Sequence, residues 1–164
     1  MSFEQKTRLI EQLDQIQSWC KAPGDYAKSG YHASFFVETG DLLPAVRLLF
    51  GQGYFLESIA GVDVAEGIML IYSYDRYDCS ERVALRLLMP HANKKAPSIT
   101  SVFTGANWHE RECFDFFGVI FEDHPELKPL LLPDDLGVNP LLKVEGRKSL
   151  HSLLPFGQLV DSKP

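Results

Sequence analysis

Apolar side chains recur every three or four positions at Leu9, Ile10, Leu13, Ile16 and Trp19. That spacing lines one face of a helix, so an amphipathic helix is predicted over residues 3–19, ended by Pro23 and Gly24. The pattern then changes. Residues 31–37 are rich in aromatic and β-branched side chains and read as a strand, broken by Thr39 and Gly40. Asp41 can cap a second helix whose apolar face is Leu42, Ala45, Val46, Leu49 and Phe50; Pro44 falls in its first turn, where the missing N–H has no intrahelical partner. Gly51 and Gly53 stop it. Three strand-like runs follow at 54–64, 67–75 and 81–89, joined by links short enough to require antiparallel neighbours. In the third, Val83, Leu85, Leu87 and Met89 alternate with Arg82, Ala84, Arg86 and Leu88, which predicts one buried face and one partly wet face. The stretch "PHANKKAP", 90–97, reads as a polar loop, and residues 98–118 as helix in two pieces with a joint near Gly105.

Beyond Val119, Pro125, Pro129, Pro133, Pro140 and Pro155 argue for an extended segment, because each fixes φ and lacks a donor. The segment is nevertheless rich in leucine, including Leu127, Leu130, Leu131, Leu132, Leu136, Leu141 and Leu142. So much apolar surface needs a cover, supplied by the domain or by a partner. The expected architecture is α+β: an antiparallel or mixed sheet of about four strands, with N-terminal and flanking helices over residues 1–121, and an extended, partner-docking tail over 122–164.

A chain of 164 residues, 45% hydrophobic and 23% charged, fits one soluble domain. Its net charge of −6 leaves no basic stripe to neutralise phosphates, so nucleic acid is not an expected partner. No apolar run reaches the roughly 20 residues that span a bilayer, and the first residues lack a signal peptide's apolar centre; an intracellular protein is expected. Cys20, Cys79 and Cys113 are odd in number and show no CxxC spacing, which speaks against a disulfide framework.

Candidate chemistry concentrates in "NWHERECFDFFG", residues 107–118. Four residues apart on a helix, His109 lies over Cys113, Trp108 over Glu112 and Arg111 over Asp115. With His124, the first pair makes a possible metal-ligand set; the alternative is a small core cysteine beside a surface histidine. A carboxylate pair for acid–base work would need Glu110 and Glu112 to converge, yet they lie about 200° apart around a helix. The simpler reading is a salt-bridged face with Arg111 paired to Asp115. A nucleophilic Cys113 would lack helix N-terminal donors at mid-helix. Asp134 and Asp135 could bind a cation, although a turn is the simpler reading.

Residues 106–135, "ANWHERECFDFFGVIFEDHPELKPLLLPDD", resemble the signature of the thirty-kilodalton (C) subunit of respiratory complex I, an NADH:quinone oxidoreductase, including the related subunits of energy-converting hydrogenases. Trp108, Glu110, Arg111, Glu112, Asp115, Gly118, Phe121, His124, Pro125, Leu127 and Leu130 fall on its spacings, and "SIAGVDV" at 58–64 is similar to its Gly-x-Asp strand. The chain departs from the family at Pro129, where an arginine is usual, and at residues 139–144, "NPLLKV", where H-P-L-R-K-D is usual. The resemblance implies a subunit without cofactors or catalytic residues of its own, NAD, quinone, iron–sulfur or nickel–iron centres residing in partners. It implies a place on the cytoplasmic side of the membrane, bound to it only through the complex. There it lies against the quinone-site (D) subunit, which is related to the hydrogenase large subunit. Trp108, Glu110, Arg111, Glu112, Asp115, Gly118, His124, Pro125, Asp134 and Asp135 are then expected at partner interfaces, with Glu110 and Glu112 free for basic groups on neighbours.

Overall fold

The computed structural model describes residues 26–133, 136–143 and 146, together with the backbone of 18–23. Five strands form the main sheet: β1 (Ser18–Pro23), β2 (Ala33–Val37), β3 (Tyr54–Val64), β4 (Gly67–Arg76) and β5 (Val83–Met89), in the order β1-β2-β5-β4-β3. The tight link at residues 65–66 forces β3 and β4 to pair antiparallel, with Val64 opposite Gly67. β4 and β5 are antiparallel as well, and β2 pairs parallel with β5. A parallel neighbour demands a crossover, which the helix following β2 supplies.

That helix, α2 (Leu42–Gly51), follows the single turn α1 (Tyr26–Ser29) and a 3-10 turn at Thr39–Asp41. Its Leu42, Ala45, Val46 and Leu49 are fully buried, as read from the sequence, whereas Phe50, assigned to the same apolar face, is exposed. Asp41 occupies the cap position without a side-chain cap bond, because the preceding 3-10 turn holds it in the helical region. The third helix, α3 (Ala106–Phe117), lies against β3. Between these helices and one face of the sheet sits the core, with Phe35, Val37, Tyr72, Tyr74, Leu85 and Leu87 from the strands. Gly61 makes the helix–sheet approach possible, since a Cβ there would run into the Phe117 ring.

The α+β class and the mixed sheet are as the sequence indicates, and four details differ. Ser18 and Trp19 belong to a fifth, edge strand rather than a helix end; the helix expected upstream lies outside the described residues. β5 is buried on both faces, Ala84 and Arg86 included, with the Tyr31 and Phe36 rings lying against the Arg86 guanidinium. Within the expected loop, β6 (Lys95–Pro97) pairs parallel with β7 (Ile120–Glu122), a long-range contact with no local signal. The first piece of the expected two-piece helix is a set of turns anchored on the Ile99 carbonyl, and only α3 is regular helix.

Candidate functional site

Helix α3 ends where Gly118 adopts the left-handed conformation at φ 67°. A helix leaves its last carbonyls without intrahelical donors, and here each finds one. Phe114 O accepts from Gly118 N at 2.9 Å, Asp115 O from the Asn139 amide at 2.8 Å, Phe116 O from Leu141 N at 3.2 Å and Phe117 O from Lys94 Nζ at 2.9 Å. Gly118 also leaves room for these donors, since a Cβ there would lie 2.5 Å from Asn139 Oδ1 and 2.9 Å from Lys94 Nζ. The returning tail therefore caps the helix. Asn139 supplies this donor as an uncharged amide.

The charged residues of α3 bind the chain's own backbone. Arg111 donates from Nε to Lys128 O at 2.9 Å and from a terminal nitrogen to Pro129 O at 2.8 Å. One turn on, Asp115 Oδ2 accepts from the N–H groups of Leu130, Leu131 and Leu132 at 2.9, 2.8 and 3.2 Å. A cation thus takes the carbonyls and an anion the amides of one bent run, each matching the polarity of the backbone group it meets. This replaces the expected Arg111–Asp115 pair: a segment full of unsatisfied backbone groups outcompetes an ion pair.

Glu110 is fully buried, so the expectation that it stays free for a neighbour's basic group is corrected. Its carboxylate accepts from Ser98 Oγ and Ile99 N, both at 2.7 Å, and lies 3.8 Å from the buried His124 Nε2. Burial pushes its pKa up to about 7, outweighing those two hydrogen bonds. His124 accepts from Glu126 N at Nδ1, which puts the ring proton on Nε2, toward Asn107 O at 3.3 Å.

Asp63 is a second anchor. Its side chain is buried at the end of β3, with Oδ1 2.7 Å from His91 Nε2 and Oδ2 accepting from Lys143 N at 2.7 Å. The sequence assigns it no role beyond its place in the Gly-x-Asp strand. Its signal is a carboxylate at a position whose neighbours are apolar, which needs dedicated donors if it is buried.

The His109, Cys113 and His124 set does not gather into a metal site; no group of three His, Cys, Asp or Glu residues able to hold an ion occurs among the described residues. The Cys113 thiol is buried in the core, its pKa pushed up to about 12 by burial. That opposes the thiolate a ligand or nucleophile requires. Glu112 and Pro125 are exposed, and Trp108 is 70% exposed. Asp134 and Asp135 lie outside the described residues. On the clamped tail, Leu127 and Leu142 pack against the core, whereas Leu131 (64%), Val138 (62%), Leu136 and Leu141 stand in solvent.

The sequence profile described as "Respiratory-chain NADH dehydrogenase, 30 Kd subunit" matches residues 35–148, which include the helix, the clamp and the Asp63 anchor. The chain belongs to this family. A relative from Methanosarcina mazei, the C subunit of F(420)H(2) dehydrogenase, is 42% identical over 89 residues, 52% of this chain and 56% of that protein. The C/D subunit of NADH-quinone oxidoreductase from Shewanella woodyi is 33% identical over 123 residues, 67% of this chain and 21% of that protein. The chain spans about half the length of the curated C-type relatives it matches. Among solved structures, a chain of the membrane-bound sulfane sulfur reductase, an archaeal respiratory membrane complex, superposes with a TM-score of 0.72 at 18% identity, covering 98% of this chain and 95% of that one. At that identity the likeness shows the fold. No helix among the described residues is long and apolar enough to cross a membrane.

Proposed function

We propose that this chain is a non-catalytic subunit of the peripheral arm of a complex I-type oxidoreductase, lying on the cytoplasmic side of the membrane. In this reading it braces the hydrogenase-like (D) subunit, the neighbour that helps form the quinone site. The observation that carries the reading is the tail itself, held down by Arg111, Asp115, Asp63 and Asn139 while Leu131, Leu136, Val138 and Leu141 face outward. A free loop would lose much entropy on docking; a tail already fixed on its own domain presents its leucines pre-ordered. The Shewanella woodyi relative joins C and D in one polypeptide, which supports this choice of neighbour. The names of the relatives carry different electron donors, F420H2 in one and NADH in the other, over a common subunit. That supports a bracing role over one that meets the donor. The redox centres then belong to the partners.

Co-expression with the hydrogenase-like neighbour tests this. Leu131→Asp combined with Leu141→Asp is expected to weaken association at least tenfold while the melting temperature of the free chain stays within about 2 °C, since both side chains are already solvated. Full retention of the complex in that variant would overturn the reading. The purified assembly is expected to reduce quinone; hydrogen evolution would assign it to the hydrogenase-type branch instead.

A further inference from the structure

We propose that Arg86 is the receptor for one carboxylate, brought by a second molecule to the sheet face opposite α2 and α3. Alternate side chains of a strand point to opposite faces, so Ser34, Phe36, Ala84, Arg86, Ile71 and Ser73 share the face that Phe35, Leu85 and Tyr72 do not. In register, Phe36, Arg86 and Ile71 form one row across β2, β5 and β4, and Ser34, Ala84 and Ser73 the next. The Arg86 guanidinium stands between two rings, 5.9 Å from the centroid of Tyr31 and 5.8 Å from that of Phe36. Tyr31 is fixed there by a 2.8 Å hydrogen bond between its hydroxyl and Ser73 Oγ.

Arg86 is only 8% exposed, and among the described residues no ion pair or hydrogen bond reaches it; its Nε is sealed without a partner. Aromatic faces soften the loss of water around a cation but do not replace an anion. Arg82 lies over the same Tyr31 ring at 5.1 Å, but Glu57 already neutralises it at 2.5 Å. One positive charge is left over. A single planar guanidinium matches a carboxylate in charge and in geometry, whereas a phosphate dianion would leave an excess negative charge beside the Tyr31 and Phe36 rings. With Nε sealed, the two terminal nitrogens are the pair left to make paired hydrogen bonds to a carboxylate. An acidic side chain of a neighbouring polypeptide is the expected source.

The test uses the full chain, as wild type, Arg86→Met and Arg86→Lys. In chloride, Arg86→Met is expected to melt about 3 °C above wild type, because it removes an unbalanced buried charge. Acetate at matched ionic strength is expected to raise the wild-type melting temperature saturably and to leave Arg86→Met unmoved, with Arg86→Lys between them; this arm needs no knowledge of the partner. A second arm rests on the function proposed above: Arg86→Met is expected to weaken assembly with the hydrogenase-like neighbour at least tenfold, Arg86→Lys less. An acetate response without an assembly defect supports a free carboxylate as the occupant. An assembly defect without an acetate response supports a partner's acidic side chain. The proposal is overturned if Arg86→Met melts below wild type in chloride, since the charge is then balanced within the chain, or if neither acetate nor assembly responds. Should Arg86→Met fail to fold, an acetate response in Arg86→Lys equal to that of wild type overturns it.

Discussion

At the scale of single residues, Glu110 is a group whose burial has a measurable cost. With its pKa near 7 in the fold against an ordinary 4.5, the folded protein holds a proton that the unfolded chain releases. Stability therefore falls as pH rises from about 4.5 to about 7, by roughly 3 kcal/mol if this group acts alone. Glu110→Gln keeps an oxygen for the Ile99 N–H and cannot ionise. Urea unfolding across that window is expected to show the decline in wild type and to lack it in the variant; parallel profiles would place the titration elsewhere. Gly61 makes the opposite kind of demand, one of space. With the Phe117 ring occupying the place where a Cβ would stand, Gly61→Ala is expected to cost about 1–3 kcal/mol in thermal or urea unfolding.

At the scale of elements, α3 and the tail form one unit, because each satisfies the other's orphan backbone groups. Asp115 carries three of the tail's N–H bonds on a single oxygen. Asp115→Ala is expected to speed amide exchange at Leu130, Leu131 and Leu132 about tenfold to a hundredfold, the equivalent of about 1.5–3 kcal/mol for a bond to a charged group. The strands should keep their protection. Slowed or unchanged exchange at those amides would show that the tail is held by its leucines alone. The pairing of Arg111 with Asp115, read from their spacing, fails for a reason local to this element: four-residue spacing places two side chains on one face without deciding what passes over that face.

At the scale of the whole molecule, the tail is at once core and surface. Leu127 and Leu142 pack inward while Leu131, Leu136, Val138 and Leu141 face out. Deleting it would strip partners from the buried Arg111, Asp115 and Asp63 and uncover α3, so truncation is expected to destabilise the domain as well as the assembly. Point substitutions at the outward leucines separate these effects. Packing across the sheet face has a similar consequence: the Tyr31 and Phe36 rings against Arg86 make a buried cation of a side chain read as lying on a partly wet face.

Periodicity alone determined the α2 stripe and the antiparallel run β3, β4 and β5, because both depend on neighbours a few residues apart. The spacing of Trp108, Glu110, Arg111, Glu112, Asp115 and Gly118 was enough to indicate the family. The β6–β7 pair, the burial of Glu110, the partners of Arg111 and Asp115, and the Asp63 anchor were decided only by tertiary structure. Each joins groups 11 to 80 residues apart along the chain. Sequence pattern reports which side chains share a face, whereas burial and the return path of the backbone decide what that face must satisfy.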